Sequence, residues 1–551
     1  MQEMTGGEAV YHALRALDVA HVFGIVSVHN IPIYDAIHRL GGITPIAVRH
    51  EQAALHAADG YARATGRIGV AIASTGPGTT NAMTGLYEAQ FASSRVLLIT
   101  GQVESLYYGK GKGFLHEAEA QLPMLRTVTR RAESVRRTED IARTIVEVAR
   151  DISNGRPVPG AVEIPIDLQY AHAEVDVPHV EAWPRLSPDR AALARASDLL
   201  QQARRILIWA GGGVLAAGAE RELQQLAEQL GAPVLTSPNG RGSIPEDHPL
   251  ALGPLSAHPG LQEIFETADA ILAVGTRFQA GPTRNWSLRF AAKLVHIDAD
   301  PAVIARNYPP EVAVVGDARL ALSQLLRQLA GHHSEVSFAE RAATLRDAAR
   351  EAIRREIGPD YAAIMDAIRD LAPRDALIVR DATVPAYLWG NRLLPILAPR
   401  TSIYPTSAAI GPGLPLALGA AIGTARPAIV IQGDGGFMLS LGELATAAQY
   451  NVPVIVCIFN DHGYGVLRSI EGRTFQGRQF GVDLATPDFV RLAEAMGIRA
   501  EPVASAPAFR DALSRALEYG GPSLLDIDMA KLVPMGGLGS PPPRPAPAQA
   551  H

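Results

Sequence analysis

Cysteine is nearly absent from this chain, which has one in 551 residues. A single cysteine excludes an internal disulfide bond. The residue, Cys457, lies in the apolar run Val-Pro-Val-Ile-Val-Cys-Ile-Phe, where a thiol behaves as a small apolar side chain. We therefore predict a packing role for it.

Long uninterrupted apolar runs are also missing. Glycine, proline or charge breaks every apolar stretch before it reaches membrane-spanning length. Residues 1–8 contain acids and have no apolar core, which is unlike a secretory signal peptide. We expect no membrane partner and a cytoplasmic location.

Neither sign of charge is in strong excess, since the formal net charge is −6 and charged residues make up 19% of the chain. This balance gives no reason to expect nucleic acid as a partner. Hydrophobic residues make up 47%, with 51 glycines and 40 prolines. The composition is that of a globular chain with room for three or four domains.

The most informative feature present is a glycine-rich turn that carries an aspartate. Residues 433–436 (Gly-Asp-Gly-Gly) follow an apolar run, and a second apolar run ends at residues 460–461 (Asn-Asp), with a predicted helix over 437–450 between them. Asp434 and Asp461 are 27 residues apart, enough for one strand–helix–strand crossover. We expect both at the carboxyl ends of neighbouring parallel strands. The alternative is an ordinary βαβ turn with acidic loop residues.

This turn has the composition of a metal and diphosphate site. A strand that delivers a carboxylate into a glycine-rich turn, followed by a helix whose first N–H groups are exposed, can hold a phosphate and its metal ion. Mg²⁺ prefers one or two carboxylates, a carbonyl, water and phosphates to an all-protein cage. Asp434, Asp461 and the carbonyl of Gly463 fit that preference and are the predicted metal ligands.

A second segment, near the N-terminus, adds a glutamate and another glycine-rich turn. Residues 48–54 are Val-Arg-His-Glu-Gln-Ala-Ala, and residues 74–78 are Ser-Thr-Gly-Pro-Gly. With the turn at 433–436, these segments resemble the acetolactate synthase-like group of thiamine diphosphate enzymes, from about Gly6 to about Asp528. The group includes acetohydroxyacid synthases, pyruvate oxidase, 2-oxo acid decarboxylases, and oxalyl-CoA and 2-hydroxyacyl-CoA lyases. The motifs are specific for the cofactor and far less specific for the reaction.

The resemblance assigns a role to Glu51. In the family a carboxyl group hydrogen-bonds the cofactor's pyrimidine ring, which helps the cofactor remove the proton from its own thiazolium C2. Glu51 is that carboxyl group by resemblance, and a solvated glutamate at a helix start is the alternative.

The resemblance also implies the rest of the cofactor site, with thiamine diphosphate and Mg²⁺ as cofactors. Ile410 matches the bulky apolar residue that supports the bent cofactor, although an ordinary core isoleucine is the alternative. Thr383, in the loop 381–385, matches a diphosphate contact. The implied cofactor contacts are Glu51, Thr383, Ile410, Gly433, Asp434, Gly435, Gly436, Asp461, Gly463 and Tyr464.

Alternating strand and helix patterns predict an α/β protein of three doubly wound parallel-sheet domains. The predicted limits are 1–170 for a pyrimidine-binding domain, 190–330 for a central domain, 358–530 for a diphosphate- and Mg²⁺-binding domain, and 531–551 for a flexible tail. In the family, pyrimidine and diphosphate domains of different subunits face each other. The resemblance therefore implies a homodimer or a homotetramer.

The central segment has features of a dinucleotide site. Residues 211–213 are three glycines after a predicted strand, and residues 275–278 (Gly-Thr-Arg-Phe) resemble a stretch that contacts FAD in acetohydroxyacid synthases. The chain continues Gln-Ala-Gly over 279–281, without the expected acidic and basic pair. Relatives use this domain for FAD, for ADP or CoA, or for nothing, and we do not favour FAD.

Three further residues are candidates for the reaction itself. His29 follows a predicted strand and is a candidate proton donor, with a hydrogen-bonded structural histidine as the alternative. His116 lies in a region that resembles the lining of the neighbouring subunit's site. Gln102 matches the acetohydroxyacid synthase pattern, with a purely structural role as the alternative. With Glu51, these are the predicted catalytic residues.

We therefore predict an enzyme that decarboxylates a 2-oxo acid and joins the product to a second carbonyl compound. The alternatives are a decarboxylase that does not ligate, a lyase acting on 2-hydroxyacyl-CoA or oxalyl-CoA, and a non-catalytic paralogue. The presence of Glu51, Asp434 and Asp461 argues against the paralogue, because a scaffold needs no C2 deprotonation.

Overall fold

The computed structural model describes residues 1–181 and 183–536. It contains three six-stranded sheets whose neighbouring strands all run parallel. The predicted α/β class with three doubly wound parallel sheets is confirmed. No helix in the described part of the chain combines the length and the hydrophobicity that a membrane span needs.

The N-terminal domain contains the first sheet and one antiparallel strand pair. Its strands are β1 (Gln2–Thr5), β2 (His21–Gly24), β3 (Thr44–Ala47), β4 (Gly69–Ala73), β5 (Val96–Gln102), β6 (Arg131–Ser134), β7 (Gly160–Pro165) and β8 (His172–Val175). Its helices are α1 (Gly6–Ala16), α2 (Ile31–Leu40), α3 (Glu51–Thr65), α4 (Pro77–Ala92), α5 (Gln121–Arg126), α6 (Ile141–Ser153) and α7 (Ile166–Tyr170). The sheet order is β3-β2-β4-β5-β7-β6, and β1 pairs with β8.

The central domain contains the second sheet, in the order β11-β10-β9-β12-β13-β14. These strands are β9 (Ile206–Ala210), β10 (Val234–Thr236), β11 (Ala251–Gly253), β12 (Ala270–Val274), β13 (Lys293–Asp298) and β14 (Val312–Val315). The helices are α8 (Arg190–Gln202), α9 (Gly212–Ala217), α10 (Glu220–Leu230), α11 (Gln262–Thr267) and α12 (Ala318–Gln328). A long helix, α13 (Val336–Leu371), follows and is interrupted at Gly358, where φ is 79° and a proline comes next.

The C-terminal domain contains the third sheet, in the order β16-β15-β17-β18-β20-β19. These strands are β15 (Leu377–Arg380), β16 (Ser402–Ile403), β17 (Ala428–Gly433), β18 (Val454–Asn460), β19 (Arg499–Val503) and β20 (Ser523–Asp528). The helices are α14 (Gly413–Thr424), α15 (Asp434–Phe437), α16 (Glu443–Gln449), α17 (Gly465–Thr474), α18 (Phe489–Ala495) and α19 (Ala506–Tyr519).

The predicted helix over 437–450 is wrong in its first turn and a half. The structure has α16 there, preceded by turns in which the N–H groups of Leu439 and Ser440 donate to carbonyls three residues back. Leu439 packs against Gly411, where an added Cβ would lie 2.9 Å from the Cβ of Leu439. The loop that contains Gly411 therefore packs directly against the turns that separate α15 from α16.

The first and third domains of one chain pack through α3 and α14. A Cβ added to Gly60 would lie 2.0 Å from the carbonyl oxygen of Leu416, and one added to Gly419 would lie 1.8 Å from that of Ala57. The two helices therefore touch backbone to backbone, which only glycine permits at these positions. This contact fixes the N-terminal sheet against the sheet that carries the metal turn.

Each sheet has one winding change, a pair of neighbouring strands from which the chain winds in opposite directions. This pair is β2 and β4 in the N-terminal sheet, β9 and β12 in the central sheet, and β15 and β17 in the C-terminal sheet. Open α/β sheets bind ligands in the crevice at the carboxyl ends of such strands.

The predicted tail begins with residues 531–536, in which Leu532 and Met535 are buried and the Gly536 N–H donates to the carbonyl of Glu356. Residues 537–551 of that tail lie outside the described residues.

Candidate active site

The predicted metal turn lies at the ends of two neighbouring parallel strands. β17 pairs with β18 up to Gly433, and Asp434 begins α15 directly after it. The N–H of Gly463 donates to Oδ2 of Asp434 at 2.9 Å, and the N–H of Asp461 donates to Oδ1 at 3.4 Å. The expected crossover placement of Asp434 and Asp461 is confirmed.

These two carboxyl groups are buried beside each other. Burial raises the pKa of Asp434 to about 8, and the neighbouring Asp461 carboxylate adds to the increase. Burial also raises the pKa of Asp461, against the opposing effect of Arg468, whose guanidinium lies 3.2 Å from Oδ2 of Asp461. Two buried carboxylates are costly unless a cation compensates them. This donor chemistry fits Mg²⁺.

The shape of the turn depends on glycine. A Cβ on Gly435 would lie 2.8 Å from the ring of Tyr464 and 3.1 Å from the carbonyl oxygen of Gly463. A Cβ on Gly433 would lie 2.9 Å from Oγ1 of Thr383. The predicted residues Thr383, Gly463 and Tyr464 are thus gathered around the turn, in a cradle that fits a diphosphate group.

A metal ion at this turn would need a backbone ligand as well as side-chain ligands. Within residues 1–181 and 183–536, no three histidine, cysteine, aspartate or glutamate side chains form a group that could hold a metal ion. Two carboxylates with one carbonyl are the ligand set that Mg²⁺ accepts when phosphates supply the remainder.

Asp381 orders the loop next to this turn, which contains Gly411 and Gly413. Its carboxylate accepts hydrogen bonds from the N–H groups of Gly411 and Gly413, at 3.0 Å, and from Nε2 of Gln432 at 2.7 Å. Burial raises the pKa of Asp381 to about 6, and the hydrogen bonds from the N–H groups of Gly413 and Gly411 oppose the increase. Ile410 comes immediately before the held glycine, and 39% of its surface is exposed. The sequence indicated that the loop 381–385 matters because of Thr383, and it gave no reason to single out Asp381.

Glu51 lies at the start of α3, next to the N-terminus of α4. Its Oε2 accepts a 3.0 Å hydrogen bond from the side-chain amide of Asn81. A Cβ on Gly78 would lie 3.2 Å from Oε1 of Glu51, so the glycine leaves this carboxylate accessible from the turn at 76–78.

The two candidate histidines lie together at the winding change of the N-terminal sheet. The rings of His29 and His116 have centroids 5.2 Å apart. Burial lowers the pKa of His29, and repulsion from His116 lowers it further. Oγ of Ser74, in the loop after β4, lies 3.5 Å from Nδ1 of His116.

Gln102 belongs to a buried network beneath these loops. Its Oε1 accepts from the hydroxyl of Thr75, and its Nε2 donates to Oε2 of Glu163 at 3.3 Å. Gln121 donates to the same Glu163 oxygen and accepts from the N–H of Gly76 at 2.9 Å. Gln102 therefore supports the loop at 74–76 from within the domain. Glu163 and Gln121 were not singled out from the sequence because neither lies in a recognisable motif.

The site residues fall into two groups. Glu51, His29, His116 and Gln102 belong to the N-terminal domain, whereas the residues around the metal turn belong to the C-terminal domain. No hydrogen bond between described residues of the chain joins the two groups directly.

A cavity of about 590 Å³ lies at the winding change of the central sheet. Gly212, Gly213 and Thr276, from the two dinucleotide-like segments of the sequence, line it. Burial lowers the pKa values of two lining arginines, Arg95 and Arg277, to about 10, and neighbouring arginines add to the decrease. Crowded guanidinium groups fit a diphosphate, the part that FAD, ADP and CoA share.

Comparison with protein families finds three matches along the chain. They are to the thiamine pyrophosphate enzyme N-terminal TPP binding domain over residues 4–124, its central domain over residues 193–325, and its C-terminal TPP binding domain over residues 385–527.

Several full-length proteins are similar to this chain. A probable acetolactate synthase large subunit of Methanocaldococcus jannaschii is 33% identical, covering 97% of this chain and 93% of the relative. The acetolactate synthase isozyme 3 large subunit of Escherichia coli is 32% identical, over 94% and 93%. A probable 2-ketoarginine decarboxylase, AruI, of Pseudomonas aeruginosa is 36% identical, over 94% and 92%.

Proposed function

The chain belongs to the family of thiamine pyrophosphate enzymes, and from this premise we propose that it decarboxylates a 2-oxo acid and ligates the product to a second carbonyl compound. The buried pair Asp434–Asp461, facing a glycine cradle, is the observation that carries the proposal. Similarity to acetolactate synthases over nearly the whole chain favours ligation.

Each residue group has a separate task in this proposal. Asp434, Asp461 and the carbonyl of Gly463 hold Mg²⁺, and the N–H groups at the start of α15 bind the diphosphate. When bound, thiamine diphosphate supplies the carbon nucleophile and the electron sink that decarboxylation requires. Glu51 would hold a proton at the pyrimidine nitrogen of the bound cofactor, and Ile410, on the loop segment 408–410, would support the cofactor.

We further propose that two copies of the chain complete the site. Glu51 and the metal turn lie on different domains, and no hydrogen bond between described residues joins them directly. An isologous dimer would bring Glu51 of one subunit to face the metal turn of its partner. A homodimer is the minimum unit of this proposal and a homotetramer its doubled form. The composition of the chain supports the cytoplasm as its proposed location.

A decarboxylase that does not ligate is the second candidate. The His29–His116 pair favours it, because an imidazole near the reacting carbon can deliver a proton where a ligase would admit a second carbonyl compound. Similarity to a probable 2-ketoarginine decarboxylase supports it as well.

The proposal is tested by offering the protein a panel of 2-oxo acids with thiamine diphosphate and Mg²⁺. We expect consumption of at least one acid, and its loss when either cofactor is withheld. Consumption that persists after both are removed, or no consumption of any acid by cofactor-loaded protein, would contradict the proposal.

A further inference from the structure

A buried charged cluster lies between α3, α4 and the loop 404–411. The Asp59 and Glu88 side chains are fully buried, and that of Arg63 is 14% exposed. Nη2 of Arg63 lies 2.6 Å from Oδ2 of Asp59 and 2.7 Å from Oε1 of Glu88. A second bond joins Nε of Arg63 to Asp59 at 2.9 Å.

The cluster extends from the N-terminal domain into the C-terminal one. Oε1 of Glu88 accepts from the N–H of Thr406 at 2.6 Å, and Oε2 accepts from the N–H of Ser407 at 2.9 Å and from its hydroxyl. Nη1 of Arg63 donates to the carbonyl of Tyr404. The loop is thus bound by residues more than 300 positions away in the sequence.

Burial of Glu88 makes these loop contacts necessary. Glu88 and Asp59 share one guanidinium, so Glu88 needs hydrogen-bond donors beyond Arg63. The two N–H groups and the hydroxyl of the loop are those donors. The loop cannot move away without leaving Glu88 buried and short of donors.

The loop held in this way leads directly to Ile410. Asp381 fixes it again at Gly411 and Gly413, so only residues 408–410 lie between the two anchors. Ile410 therefore projects from a short segment that is tied at both ends. Its position is set as much by the N-terminal domain as by its own.

We propose that Glu88, braced by Arg63, is a positioning residue that holds Ile410 where it supports the bent cofactor. Glu88 contacts neither metal ligand and acts only through the loop. The effect of Ile410 on the cofactor rests on the proposed function. The anchoring of the loop by Glu88 concerns the protein alone.

Glu88→Gln is the direct test. The glutamine amide turns an N–H donor toward one of the two backbone donors and removes the negative charge. We expect the Thr406 and Ser407 amides of the cofactor-free protein to exchange with deuterium about tenfold faster, because hydrogen bonds to a charged group are lost. In the cofactor-loaded variant, C2–H exchange measured by NMR should slow by about tenfold, since a displaced Ile410 would position the cofactor less well.

Asp59→Asn is the matched control. Asp59 bonds to Arg63 but has no hydrogen bond to the loop in the part of the chain that the structure describes. Both variants lose a buried charge and should lose thermal stability, yet only Glu88→Gln should alter loop exchange and C2–H exchange. Equal loop exchange in Glu88→Gln and wild type, or equal loosening in both variants, would overturn the proposal.

The proposed function and the anchoring of the loop by Glu88 are tested separately. Absent C2–H exchange in the loaded wild-type protein would refute the proposed function, while deuterium exchange without cofactor would still decide the loop's anchoring. If Glu88→Gln does not fold, Ser407→Ala takes its place, because it removes one donor without changing charge. About threefold faster exchange of the loop is expected there, and unchanged exchange would overturn the proposal.

Discussion

The N–H of Gly463 donates a 2.9 Å hydrogen bond to Oδ2 of Asp434, which ties the start of α15 to the loop that follows β18. Gly463 has a φ of 158°, and a Cβ there would lie 2.0 Å from the carbonyl oxygen of Val482. Arg468 adds bonds to the carbonyl of His462 and to Asp461. The metal turn is therefore held in shape by the protein alone, so binding need not order it.

Removing the first metal ligand should abolish cofactor retention. In Asp434→Ala the diphosphate would meet the site without its Mg²⁺, so calorimetry should show affinity for thiamine diphosphate reduced by about a hundredfold or more. Asp461→Asn keeps a coordinating oxygen and should lose about tenfold. Wild-type affinity in Asp434→Ala would mean that the metal site is elsewhere.

Glu51→Gln should separate binding from proton transfer. The amide keeps the size of the side chain and its bond with Asn81, so fold and cofactor affinity should change little. C2–H exchange should slow by about a hundredfold or more, because an amide has no ionisable proton to share with the ring. An unchanged exchange rate in NMR would remove the role given to Glu51.

The His29–His116 contact predicts a shifted titration. Because burial lowers the pKa of His29 below its ordinary value of 6.5, the neutral imidazole is favoured in the folded protein. The contribution of the neutral His29 imidazole to the stability of the folded protein is present above pH 6.5. It is lost as the pH falls through the lower pKa that His29 has in the folded state. In His116→Gln the pKa of His29 should rise, since a repulsive neighbour is gone, but stay below 6.5, because burial is the larger cause. A His29 pKa that NMR finds unmoved by this substitution would contradict the coupling.

The central cavity predicts phosphate binding without flavin. We expect purified protein to be colourless, because the stretch after Phe278 lacks the charged pair of flavin-dependent relatives. ADP should bind, and Arg277→Ala should weaken it about tenfold by removing a guanidinium from the cavity. A flavin absorbance spectrum at stoichiometric occupancy would refute the expectation of a colourless protein.

Local patterns were enough to predict three parallel sheets and the placement of Asp434 and Asp461. The spacing between them implies one crossover, and parallel strands then leave both carboxylates at one edge. Glu88 and Asp381 could not be found in this way. Glu88 lies 318 residues from Thr406, and such a contact leaves no periodic or motif signal in the sequence. Gln102 matched a family pattern, but only its bond to Glu163 reveals the buried network around it.

The stoichiometry of carbon tests the central claim most directly. With one 2-oxo acid as the only substrate, CO₂ release and acid consumption are measured in the same reaction of protein loaded with thiamine diphosphate and Mg²⁺. Ligation of the decarboxylated product to a second molecule of the acid predicts two acids consumed per CO₂ and no free aldehyde. One acid consumed and one aldehyde released per CO₂, with every acid tested, would contradict ligation and establish simple decarboxylation.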